Sequence, residues 1–105
     1  MAWFYLFIAA VFEVGWPLGF KLSAVTSHKL LWIAFAVIAM ALSGVFLYIA
    51  QKDIPIGVAY AVWTGIGAAC TFLIGVAFFN DSLSLMKVLG VALIIVGVTL
   101  LKVGH

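Results

Sequence analysis

The chain has 105 residues, 69% of them hydrophobic and 8% charged, with a formal net charge of +2. An ordinary soluble domain carries about 25% charged residues, so this composition excludes a soluble monomer and a disordered chain and leaves an integral membrane protein. Five scattered lysines form no phosphate-binding stripe, which excludes a nucleic-acid binder, while a lone cysteine with two distant histidines excludes a disulfide framework and is a poor metal set.

Four apolar runs predict an all-α fold of four transmembrane helices, over approximately 2–21, 30–50, 54–79 and 84–102, in a single domain covering 1–105. A span needs about 20 helical residues, and no run shows the alternating polarity of a barrel strand. The first run has no basic start, and Lys21 follows it instead of a small-residue cleavage site, so it reads as a span and not as a signal peptide. It holds Glu13, the one ionisable group well inside any span. A charge at that depth costs at least about 2.5–3.5 kcal/mol, and intramembrane carboxylates usually mark a cation or proton path. Low dielectric disfavours the charged form of a carboxyl group, which suits it to exchange protons. The alternative is a protonated Glu acting only as glue between helices.

Ala9, Glu13, Trp16 and Phe20 share one helix face. Pro17 removes the amide that would bond the Glu13 carbonyl, so a kink is expected there. Trp16 offers a flat face on which a cation can stack beside the carboxylate.

The second run carries Ser43, which can bond a carboxylate or its own backbone. In the third, Tyr60, Trp63, Thr64, Gly67 and Thr71 fall on one face, which should look at another helix or a cavity. Gly65 and Gly67 allow a hinge or close helix approach. In the fourth, Gly90 and Gly97 lie two turns apart on one face, where a second helix can come close. Cys70, His28 and His105 are given no functional role, and no metal or cofactor is expected.

Short connections make neighbouring helices antiparallel and leave all activity to the bilayer. Lys52 and Lys102 fall on one side, Lys21, Lys29 and Lys87 on the other. This near balance predicts insertion in both orientations. One carboxylate among four helices is a thin device for moving a charged solute, and larger transporters use two inverted repeats around a midplane site. An antiparallel homodimer would supply the inverted half and bring two copies of Glu13 together. Two close carboxylates repel, so a proton is held until a cation displaces it, which is the logic of an antiporter.

These residues resemble the small multidrug resistance transporters over nearly the whole chain. The resemblance rests on the four-span layout, on Glu13 with Lys21 eight residues later, and on the Pro-x-Gly-x-Ala-Tyr-Ala-x-Trp stretch from Pro55 to Trp63. Gly90 and Gly97 resemble the family's helix-four dimer contact. Glu13-x-x-Trp16 and the run Trp63-Thr64-Gly65-Ile66-Gly67-Ala68 look like the guanidinium exporter branch. The resemblance implies a dual-topology, antiparallel homodimer in a bacterial-type inner membrane, exchanging protons for a small cationic substrate. It makes Glu13 the proton and substrate site, lines the pocket with Trp16 and Trp63, and has Ser43 and Tyr60 hydrogen-bond the carboxylate. Gly15, Pro17 and a first loop about one residue longer depart from the commoner exporter pattern.

Export of guanidinium-type cations is therefore the expected activity. Export of bulky quaternary ammonium or lipophilic aromatic cations is the alternative. A scaffold or accessory subunit would leave the clustering of Tyr60, Trp63 and Thr64 unexplained, and an enzyme is the least favoured reading.

Overall fold

The structure, a computed structural model, describes residues 1–104, so that His105 lies outside the described residues. It consists of four helices: α1 (Ala2–Val25), α2 (Lys29–Ala50), α3 (Ile56–Phe78) and α4 (Leu85–Val103). All four are long and apolar enough to cross a membrane.

Local chemistry explains where each helix stops. Helix α1 continues past Lys21 through helix-compatible residues to Val25, ending where Thr26 folds its amide and hydroxyl onto the Leu22 carbonyl at 3.0 and 2.7 Å. Its 24 residues make a rod of about 36 Å, which places Lys21 within the last turns of the helix instead of in the connection. The α-helix also runs uninterrupted through Pro17. Helix α3 starts at Ile56 because Ile54 precedes a proline and is driven out of the helical region, while Pro55 needs no amide partner. Ser84 caps α4, accepting the Lys87 amide at 3.2 Å.

The helices alternate in direction. Lys102 lies over the Trp3 ring at 5.2 Å, so the end of α4 meets the start of α1. Lys21 lies 5.7 Å from the Phe79 ring, so the first and third connections share the other end.

Helix α1 is the centre, packed most extensively on α2 and next on α3, whereas the α4 backbone approaches only α3. Small residues permit this. A Cβ on Gly15 would lie 2.7 Å from the Ala39 Cβ, and one on Gly19 would lie 2.9 Å from both the Ala36 Cβ and the Trp32 carbonyl. Between helices in lipid there is no hydrophobic driving force, so such backbone proximity supplies the attraction. The departure at Gly15 thus has a packing role. A second cluster, Leu6, Ala50, Ile54, Ala59 and Val62, closes the opposite end.

The fold is opened out. Its Cα extents are 44 × 34 × 16 Å, unlike the two equal short dimensions of a square bundle. Helix α4 has no buried residue. Beyond the backbone of its own helix, nothing lies within 4 Å of a Cβ built on Gly90 or Gly97, so this glycine face is not used for contacts within one chain.

Candidate functional site

Glu13 lies midway along α1, half-buried, on the face turned toward α3. One turn later the Trp16 indole N–H donates to Glu13 Oε1 at 2.6 Å. Helix geometry places residues three apart on one face, and this pair uses that spacing to fix one carboxylate oxygen. Trp16 is itself braced by an edge-to-face contact with Phe20, centroids 5.9 Å apart. Of the face read from the sequence at three- and four-residue steps, Glu13, Trp16 and Phe20 are in successive contact.

Across from Glu13, Gly67 supplies room. A Cβ there would lie 2.8 Å from the Glu13 Cγ. Gly65 has a different neighbour, since its Cβ would meet Val98 of α4 at 2.6 Å. The two glycines therefore admit helices on opposite sides of α3, and both are sites of close approach.

Glu13, Trp16 and Pro17 from α1 face Thr64, Gly67 and Thr71 from α3 across an open cavity of about 420 Å³. Pro17 offers no amide to the Glu13 carbonyl, and the residues lining the cavity bring a carboxylate and an indole together there. Thr64 donates its hydroxyl to the Tyr60 carbonyl at 2.8 Å.

Within one chain Ser43, Trp63 and Tyr60 lie outside the Glu13 cavity, and the Ser43 hydroxyl is bonded to a backbone carbonyl and not to the carboxylate. Ser43 is fully buried and donates to the Ala9 carbonyl at 2.6 Å, while the Trp63 indole N–H donates to Ser43 Oγ at 2.8 Å. The physical reason is proximity. The Ala9 carbonyl faces α2 one turn before Glu13, and a buried hydroxyl takes the nearest strong acceptor. The resulting Trp63–Ser43–Ala9 chain ties α3, α2 and α1 together one helical turn before Glu13. Tyr60 is 58% exposed, with its ring edge against Trp63 at 5.4 Å. Neither Tyr60 nor Trp63 lines the Glu13 cavity.

Two residues lining the cavity, Phe72 of α3 and Asp81, were missed from sequence. Asp81 reaches it from the connection between α3 and α4. Asn80 adopts φ 56°, the left-handed conformation that asparagine tolerates, and turns the chain back so that the Asp81 amide donates to the Gly75 carbonyl at 3.1 Å. The signal available was that Asp81 is one of only three acids and follows an asparagine at a helix end.

No group of three or more His, Cys, Asp or Glu able to hold a metal occurs among the described residues. Cys70 is exposed and free, and His28 starts α2 without a capping side-chain bond.

The model of the Small Multidrug Resistance protein family matches residues 1–94. The chain is 43% identical over 102 residues to the guanidinium exporter of Yersinia pseudotuberculosis, covering 97% of each chain. It is 39% identical over 102 residues to the guanidinium exporter of Escherichia coli K12, covering 97% of this chain and 96% of the relative. A guanidinium exporter of Proteus vulgaris is 36% identical over 105 residues, covering 97% of each.

Proposed function

The chain belongs to the Small Multidrug Resistance protein family, and from that premise we propose that it is a proton-coupled antiporter exporting guanidinium-type cations, and not an enzyme. The observation that carries this reading is the Glu13–Trp16 pair inside the cavity between α1 and α3. A guanidinium ion is planar and presents forked N–H donors, which match the two oxygens of a carboxylate and stack on a flat indole. The names of the relatives point to the same substrate.

The working unit is an antiparallel homodimer of chains inserted in both orientations. What supports it is the open architecture of one chain: α4 has no buried residue, and Gly90 and Gly97 are free of contacts within the chain. Pairing at this glycine stripe gives two inverted halves, with Glu13 of each at a common site. Close carboxylates disfavour joint ionisation, so a proton stays until the cation displaces it. Alternating access then carries cation one way and protons the other. Trp16 orients Glu13 and lines the pocket. Ser43 and Trp63 hold the three helices together one turn before Glu13, and Tyr60 is open to the second copy.

Flux into liposomes tests the substrate. Guanidinium is expected to move readily while a bulky lipophilic cation such as tetraphenylphosphonium moves poorly. The reverse order would replace this reading with multidrug export.

A further inference from the structure

Two cavities meet at the end of the molecule where α1 and α3 finish. The first holds Glu13 and Trp16. The second, about 200 Å³, holds Lys21 and Phe79. Pro17, Thr71 and Asp81 line both. Asp81 is therefore the carboxylate standing between the outer compartment and Glu13.

Its position is built. The left-handed turn at Asn80 and the Asp81 amide bond to Gly75 bring the residue back over the end of α3. Its carboxylate then rests against Gly75, in the place a Cβ would occupy. Gly75 itself is buried. A carboxylate at a helix C-terminus gains nothing from the helix dipole, which disfavours negative charge there. The amide bond to Gly75 and the Lys21 charge in the adjoining cavity offset that cost, and the carboxylate is left at the margin of both cavities, where a cation can reach it.

We propose that Asp81 is the outer docking residue of the transport path, receiving the guanidinium ion before Glu13 does. This rests on the reading of the chain as a guanidinium exporter. Asp81 offers the same forked acceptor as Glu13 at the outer margin of the same cavity, so the ion passes from one carboxylate to the next without a bare step through hydrocarbon. Lys21, in the outer compartment, repels a bound cation and keeps Asp81 from retaining it. No covalent bond changes.

The test is guanidinium uptake into liposomes, measured against concentration and ionic strength. Asp81→Asn is expected to raise KM about three- to tenfold with kcat within twofold, and to flatten the dependence on ionic strength, because charge focusing on association is lost. Gly75→Ala, which displaces the carboxylate while keeping its charge, is expected to raise KM as well. Asp81→Glu should recover part of the loss. If wild type transports guanidinium and Asp81→Asn has an unchanged KM, or loses kcat at unchanged KM, the docking role is overturned and the exporter reading stands. If wild type moves no guanidinium, both fall.

Discussion

Gly67 of α3 sits directly against the aliphatic stem of Glu13 of α1, so that a Cβ on the glycine would lie 2.8 Å from the Glu13 Cγ. The acid is thus held at a helix contact, with its carboxylate leaning into the cavity and its stem in the joint. Gly67→Ala is expected to push the stem aside at a cost of about 1–3 kcal/mol, as overpacking does. Guanidinium uptake should fall sharply while the protein still inserts and purifies, which flux and size-exclusion profiles check together.

The Trp16 indole donates to Glu13 at 2.6 Å, and a phenyl ring cannot. Trp16→Phe keeps an aromatic wall but leaves the carboxylate oxygen without its orienting donor. The expected result is guanidinium binding weakened by about three- to tenfold, from lost orientation of the carboxylate and a poorer ring for the cation, with proton exchange at Glu13 retained. Calorimetric titration of the purified protein measures the first, and lumenal pH the second.

Ser43 is a structural tie in this geometry. Ser43→Ala leaves the half-buried Trp63 indole without its acceptor, at a cost of about 1–3 kcal/mol. A lower thermal midpoint in detergent is expected, larger in proportion than any change in KM. A residue bonded to the carboxylate would show the opposite balance.

A Cβ built on Gly97 meets nothing within 4 Å beyond the backbone of its own helix. Gly97→Leu is therefore expected to leave the monomer fold intact and to separate the homodimer, read as a loss of crosslinked dimer in membranes and a matching loss of transport.

The four helices were legible because composition and run length suffice for spans, and the Glu13–Trp16 pair was legible because residues three apart on a helix are neighbours by geometry. The length of α1 was not, since Lys21 looks like a boundary in hydropathy although nothing there breaks a helix. The partners of Ser43 depend on how α2 and α3 rotate toward Ala9, a tertiary property that no local pattern records. Asp81 enters the cavity through one left-handed residue, Asn80, in a segment that hydropathy marks only as a connection.

The central claim is that Glu13 exchanges protons for the cation. It is tested most directly by trapping a pH-sensitive dye and guanidinium in liposomes containing the protein and imposing an outward guanidinium gradient. The account predicts that the lumen acidifies as guanidinium leaves, and that Glu13→Gln abolishes both movements. Guanidinium efflux without acidification, or coupled exchange surviving in Glu13→Gln, would contradict it.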